Sequence, residues 1–275
     1  MRHKRFRTIV ISAIAIVFIA LILYIAWGNT ALKMTQYTVS GERLPEAFHG
    51  FRIVQISDLH NTEMGKNHQK LIALVKEAQP NLIVITGDMI DSRCTNVEKA
   101  LEVAEQAVKI APCYYVTGNH ESRVEAYKEL KEGLIALGVT VLENESTAIE
   151  YQGEKISLIG VKDPAFQTDI SSCLKNLKNE NDGYTILLSH RPELFDTYVA
   201  NEMDLVFSGH AHGGQFRIPL IGGLYAPNQG ILPEYDGGLY TKGNTNMVVS
   251  RGIGNSLFPF RFNNRPEVIL VEFKA

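Results

Sequence analysis

Two β-sheets packed face to face, with helices outside and one apolar helix ahead of them, is the α/β architecture that this 275-residue chain predicts. Three observations carry it. From Phe51 to Gly138, β-branched apolar runs alternate with helical stretches, the pattern of parallel strands joined by right-handed crossovers. A second set of short strands follows and ends in a Gly-, Pro- and Asn-rich final third. Ahead of both, Ile9 to Trp27 forms an uncharged run of 19 residues.

That run is broken only by Ser12 and is apolar all round, which argues against a helix packed by one face. At about 1.5 Å per residue it comes close to spanning a roughly 30 Å hydrocarbon core. Arg2, Lys4, Arg5 and Arg7 precede it and Lys33 follows. The positive-inside bias then puts the start of the chain in the cytoplasm and residue 29 onward outside. The expectation is a single-pass cell-membrane protein with an extracytoplasmic domain. A cleaved signal peptide is the competing reading, but its apolar region runs about 7–15 residues, and no small-x-small cleavage pattern follows here. Residues 1–28 are thus read as basic flank and anchor, 29–50 as a connector with an edge strand at Thr35–Val39, and 51–275 as one domain.

Within that domain, strand 51–57 precedes a helix near 66–79 that Pro80 stops, and strand 81–87 precedes a helix near 96–110 that Pro112 stops. Strand 113–117 leads to a helix near 122–137, closed by Gly138. Short strands are expected at 139–142, 147–151 and 155–160, with Gly153 at a hairpin, then a helix near 170–179. Strands 184–189, 204–208, 246–250 and 267–273 complete the set.

Removing the four basic groups of residues 1–28 from a total of 27 leaves 23 Lys+Arg against 30 Asp+Glu. Such an acidic domain is poorly suited to long polyanions, so no nucleic-acid partner is expected. Bound divalent ions would reverse the charge locally where a phosphate sits. The cysteines, Cys94, Cys113 and Cys173, are three in number without C-x-x-C spacing, which indicates neither a zinc knuckle nor a disulfide framework. Cys113 opens a buried-looking strand and reads as core.

Chemistry concentrates in five short motifs: Ser57-Asp58-Leu59-His60, Gly87-Asp88-Met89-Ile90-Asp91, Gly118-Asn119-His120-Glu121, Ser189-His190 and Gly209-His210-Ala211-His212. Each follows an apolar run, so each sits where a strand ends, and the carboxyl ends of strands are where sites gather in α/β sheets. The donors Asp58, His60, Asp88, Asn119, His190, His210 and His212 are all oxygen or nitrogen, with no thiolate. Mixed N/O donors suit Mn, Fe, Zn, Co or Ni better than Ca or Mg. A lone His is more often a bystander than a ligand, but five of the eight histidines fall in these motifs. His3, His49 and His68 lack such context and read as surface.

In order and spacing the set resembles the calcineurin-like metallophosphoesterase superfamily. Gly209-His210-Ala211-His212-Gly213-Gly214-Gln215 and Ser250-Arg251-Gly252-Ile253-Gly254 look like its membrane-anchored bacterial phosphodiesterase subgroup. Ser189 stands where many relatives have Gly, with the ligand His190 retained. The resemblance covers roughly residues 50–275 and implies a four-layer α/β/β/α sandwich of two mixed sheets flanked by helices. It also implies a binuclear centre of two divalent transition-metal ions. Asp58, His60 and His212 would bind one ion, Asn119, His190 and His210 the other, and Asp88 would bridge with its two carboxylate oxygens. Such ions share an activated hydroxide and polarise phosphoryl oxygens. By resemblance His120 is catalytic, stabilising the transition state or protonating the leaving oxygen. Asp91 is its expected carboxylate partner, ahead of Glu121; the alternative for Asp91 is to cap the following helix.

Arg191 and Arg251 are each open between phosphate contact and a structural role. The expected function is a metal-dependent phosphodiesterase on an envelope-side phosphoester, with lipid head groups or cell-wall polymers as candidate substrates. A phosphomonoesterase and a non-catalytic metal-binding envelope protein are the alternatives. Leu257-Phe258-Pro259-Phe260 reads either as an exposed lip or as a core-packing turn.

Overall fold

A computed structural model describes residues 2–178, 183–256 and 258–275. Helix α1 (Arg2–Thr30) is longer than the apolar run, and its apolar side chains are exposed all round. It is long and apolar enough to cross a membrane. Only Ala31 and Leu32 separate it from strand β1 (Lys33–Val39). The segment expected as a connector therefore holds a seven-residue strand, longer than Thr35–Val39 and part of the main sheet.

The chain continues through β2 (Arg52–Ile56), α2 (Gln69–Glu77), β3 (Leu82–Thr86), α3 (Val97–Ala107), β4 (Cys113–Val116), α4 (Tyr127–Ala136) and β5 (Thr140–Val141). Strands β6 (Glu145–Tyr151) and β7 (Glu154–Gly160) form a hairpin, followed by α5 (Ile170–Lys178), β8 (Thr185–Leu188), α6 (Phe195–Ala200) and β9 (Leu205–Ser208). Two short ribbons, β10 (Arg217–Ile218) with β11 (Gly222–Gly223) and β12 (Tyr225–Ala226) with β13 (Gly230–Ile231), precede β14 (Gly238–Lys242), β15 (Thr245–Val249) and β16 (Glu267–Phe273). Residue 179, at the end of the expected fifth helix, lies outside the described residues.

Two six-stranded mixed sheets result, in the orders β1-β16-β2-β3-β4-β5 and β14-β15-β9-β8-β7-β6. The side-chain period of two assigns each strand to two layers. In β3, Leu82 and Val84 point between the sheets, where Leu158, Ile186, Leu188, Leu205 and Phe207 of the second sheet meet them. Ile83 and Ile85 point the other way, onto Leu71, Val75, Ala100, Val103 and Leu130 of the helices. On the far face of the second sheet, Leu187, Val206 and Met247 pack against α5 and α6 through Leu174, Phe195 and Tyr198. These layers are the expected α/β/β/α sandwich.

Local departures have local causes. A 3-10 turn at Lys66–His68 precedes α2, and another at Glu121–Arg123 stands apart from α4. His68, expected at the surface, is fully buried with Glu102 3.6 Å from its Nε2. The left-handed backbone at Asn67 and His68 folds the ring inward. Cys113 is buried, and burial pushes its thiol up to about 12.

Candidate metal centre

β2, β3 and β4 run parallel in one sheet, β8 and β9 in the other, so their carboxyl ends form one rim across the sandwich. The loops leaving them are tightly bent. Asp58, Asp88, His60, His210 and His212 all have positive φ, between 44° and 66°, a region that costs a non-glycine residue free energy and recurs at functional sites. Neighbouring backbone holds them there. Gly254 N–H donates to Asp58 O at 2.7 Å, and Ile253 N–H to Ser57 O at 3.1 Å. The 250–254 motif is thus the back wall of the Asp58 loop. Gly252 has φ +69°, and a Cβ there would lie 2.6 Å from the Asp58 Cβ.

Asp58, His60, Asp88 and His212 offer four ligand atoms within 4.8 Å of one another, and Asp88, His190 and His210 offer three beside them. His60 Nε2 lies 3.2 Å from His212 Nε2 and 3.6 Å from Asp88 Oδ2. His212 Nε2 lies 3.3 Å from Asp58 Oδ1. On the other side, His190 Nε2 is 3.2 Å from Asp88 Oδ2 and 3.2 Å from His210 Nδ1. Asn119 Oδ1 is buried with no hydrogen-bond partner, an arrangement that costs free energy unless something else is coordinated. Nitrogen atoms facing nitrogen atoms, a shared carboxylate and an orphaned amide oxygen fit divalent ions. Asp88 Oδ1 accepts the His120 N–H at 2.8 Å, and Oδ2 faces both histidine sets.

Three of the four histidine rings of the cluster are held in the neutral form that can donate to a metal. Burial pushes the His60 ring down to about 3, and it holds His210 and His212 well below the usual imidazole range. Burial opposes charge on His190 too, but Asp88 beside it outweighs this and raises the ring to about 10. Asp88 is correspondingly held well below the carboxylate range, its own burial overcome by His190. Burial, reinforced by Asp88, lifts Asp58 to about 6.

His120 reaches the same rim, its ring edge-on to His60 at 4.5 Å between centroids. Its Nδ1 accepts Ser92 N–H at 3.0 Å, leaving Nε2 to carry the proton. Asp91 is not its hydrogen-bond partner, since Oδ1 lies 3.6 Å away. Arg93 holds that carboxylate instead, Nε to Oδ1 at 3.0 Å and Nη2 to Oδ2 at 2.6 Å. Nor does Asp91 cap α3; Asn96 does, accepting from Lys99 N–H.

Several residues named from the sequence have partners that only the fold reveals. Glu121 is buried and accepts backbone N–H bonds from Asp88, Met89, Ile90 and Gly118, bracing the Asp88 loop against β4. Arg191 is buried, bound through Nε and Nη2 to Asp163, with Nη1 2.8 Å from Asn228 Oδ1 and 3.0 Å from His210 Nε2. Pro192 beside it starts a 3-10 turn, the structural reading of that dipeptide. Arg251 faces Glu267, Nε to Oε1 at 3.7 Å, away from the site. Beside the donors opens a cavity of about 270 Å³, with Arg93 and Arg123 among its lining residues, together with Tyr225, Pro227 and Asn228.

Residues 51–214 match the family profile described as calcineurin-like phosphoesterase. The chain belongs to the calcineurin-like phosphoesterases. As in the family, its His and Asp groups could bind divalent metal ions. It is 30% identical over 252 residues to the uncharacterized metallophosphoesterase YkuE of Bacillus subtilis, covering 89% of this chain and 86% of that one. Phosphodiesterase YaeI of Escherichia coli is 31% identical over 227 residues, covering 81% and 82%. A "transmembrane protein with metallophosphoesterase domain" from Danio rerio is 29% identical, covering 96% of this chain and 62% of that one. A second relative of the same name, from Bos taurus, is 28% identical over 261 residues, covering 88% of this chain and 57% of that one. The fold is shared with a Thermus thermophilus sulfate thiohydrolase, SoxB, at 12% identity and TM-score 0.52, over 84% of this chain and 57% of that one.

Proposed function

We propose that this chain is a phosphodiesterase that works with two divalent transition-metal ions on an envelope-side substrate. The observation that carries the reading is Asp88 Oδ2, faced by His60 from one side and His190 from the other. Asp58, His60 and His212 would hold one ion, Asn119, His190 and His210 the second, with Asp88 shared. When bound, such ions supply Lewis acidity to the phosphoryl oxygens and lower the pKa of water.

The chain's own residues supply the rest. His120, with its Nδ1 occupied by Ser92, presents an N–H donor suited to the leaving oxygen. Arg93 and Arg123 offer positive charge on the cavity wall to a phosphoester anion. Tyr225 and Pro227 line the cavity as well, which suits a second, apolar ester substituent. That favours a diester, as does the similarity to YaeI. The catalytic domain would begin near Lys33, and the excess of basic residues before the apolar run supports its placement outside the cytoplasm.

A metal-reconstituted assay comparing bis-p-nitrophenyl phosphate with p-nitrophenyl phosphate tests the reading. Faster turnover of the diester, abolished by chelation and restored by Mn, Zn, Fe, Co or Ni, is expected. Preference for the monoester, or activity indifferent to chelation, would overturn it.

A further inference from the structure

The final turns of α1 are seated on the domain. Tyr24 Oη donates to Asn263 Oδ1 at 3.1 Å, and its ring meets Phe262 edge-on, 5.9 Å between centroids. Asn29 and Arg261 exchange two hydrogen bonds, Asn29 Nδ2 to Arg261 O at 3.0 Å and Arg261 N to Asn29 Oδ1 at 2.8 Å. The Arg265 guanidinium stacks over Trp27 at 5.0 Å. Tyr24 and Trp27 close the apolar run, and aromatic residues at such positions lie at the head-group level of a bilayer. Whatever touches them lies at that level too.

Sheet topology places the metal-centre rim there as well. β1 begins beside Glu267, and β16 runs antiparallel to β2, with Ile269 opposite Gln55. The foot of α1 therefore stands at the end of β2 that carries Asp58.

From this foot an apolar surface extends outward. Phe262 bridges to Phe216, whose ring meets Phe258 and Phe260 edge-on at 5.1 and 5.4 Å. Beyond it the two short ribbons carry Leu220, Ile221, Ile231 and Leu232. All four are exposed, Leu220 completely and Ile231 to 76%. Scattered apolar side chains need no explanation, but a continuous group beside a membrane helix does. Phe258 and Phe260 are themselves exposed, as a lip requires; Leu257 lies outside the described residues.

Charge follows the same face. Between α1 and the domain lies a cavity of about 430 Å³ lined by Lys33, Arg251, Arg261 and Arg265. The buried carboxylate of Glu267 answers Lys33 at 3.2 Å and Arg251 at 3.7 Å. One carboxylate against four cations leaves the cavity positive, at the level where a bilayer presents its phosphates.

We infer that this face docks on the bilayer that α1 enters. The hairpin residues Leu220, Ile221, Ile231 and Leu232 immerse, and the basic cavity meets anionic lipid head groups. Tyr225, which lines the metal-centre cavity and lies next to Leu224 on the apolar ribbon, then brings that cavity's mouth to the lipid surface. The inference stands apart from the reaction: docking is a matter of position and holds whatever the centre hydrolyses.

Full-length protein in nanodiscs containing phosphatidylglycerol tests it by tryptophan quenching with lipids brominated high on the acyl chain. Trp27 is the one native tryptophan, so Trp27→Phe gives a blank background for single reporters. Leu220→Trp should lose most of its emission to the bromines. Asn244→Trp, in the exposed β14–β15 turn at the opposite end of the second sheet, should keep its own. Ile231→Trp is an independent second reporter on the apolar face. Equal quenching at the apolar face and at residue 244 overturns the inference. So does shielding of Leu220→Trp from aqueous iodide without bromolipid quenching, the signature of a second copy or a protein partner on this face.

Discussion

His190 Nδ1 lies 2.7 Å from the carbonyl oxygen of Thr86, the residue that ends β3. A carbonyl can only accept, so Nδ1 carries a proton and Nε2 is aimed at Asp88. The bond joins the two sheets at the rim, since Thr86 belongs to the first and His190 follows β8 of the second. Gln55 makes a parallel link, its Nε2 donating to Thr86 Oγ1 and to Ser208 O, each at 2.8 Å. The donor geometry therefore depends on the sandwich staying closed.

Asp88→Asn should abolish hydrolysis and lower metal content at both positions. It replaces part of the one carboxylate that faces both histidine sets with a neutral amide. Elemental analysis beside the diester assay checks this; full occupancy with full activity would remove Asp88 as the shared ligand.

His120→Asn should retain metal and lose about 10²–10⁴-fold in rate. The deficit should shrink for esters of acidic alcohols, which need little help in leaving. Asp91→Asn should do less harm, because Arg93 rather than His120 holds that carboxylate. A rate series over leaving groups of graded pKa separates these outcomes, and a metal deficit in His120→Asn would make it a ligand instead.

Gly252→Ala should disturb the centre without touching any donor. The added methyl meets Asp58 Cβ at 2.6 Å in backbone that disfavours side chains. Reduced metal affinity, read by competition with a chromogenic chelator, is expected even if melting changes little. Wild-type affinity would show that the Asp58 loop yields freely.

Arg191→Ala strands Asp163, which is buried and accepts from both Nε and Nη2. Removing one member of a buried pair costs about 3–5 kcal/mol, so a clear fall in thermal midpoint is expected. Arg191→Lys should recover little, since an ammonium cannot reproduce the two-pronged contact. Recovery of the full midpoint by lysine would reduce the pair to simple charge neutralisation.

Under native conditions an alkylating reagent should modify Cys94 and spare Cys113. Cys94 is exposed, whereas Cys113 is buried with its thiol pushed up to about 12. Peptide mass mapping after brief iodoacetamide exposure reads both, and rapid labelling of Cys113 would indicate that β4 opens.

The sandwich was legible in the sequence, as was the gathering of six of the seven expected donors, because each motif directly follows a run such as Leu82–Thr86, whose apolar continuity marks a buried strand. What escaped depends on approach across the fold. Glu121 reaches back more than thirty residues to the 88–90 backbone, and no periodicity announces that. Asp91 lies 3.6 Å from His120 Nδ1, but the hydrogen bonds that hold it come from Arg93, two residues on. His68 lacks an apolar pattern of its own, and only the turn at Asn67 puts it inside. β1 was expected at the edge but two residues short, because half-exposed edge strands mix polar and apolar side chains, as in Lys33–Val39.

β16 lies between β1 and β2, so strands made early in synthesis are joined by one made very late. Lys33 pairs with Glu267 across more than two hundred intervening residues. Closing so long a loop carries an entropic cost and makes sheet completion a slow, late event. Until residues 267–273 leave the ribosome, β1 and β2 present open edges beside a helix already able to enter lipid.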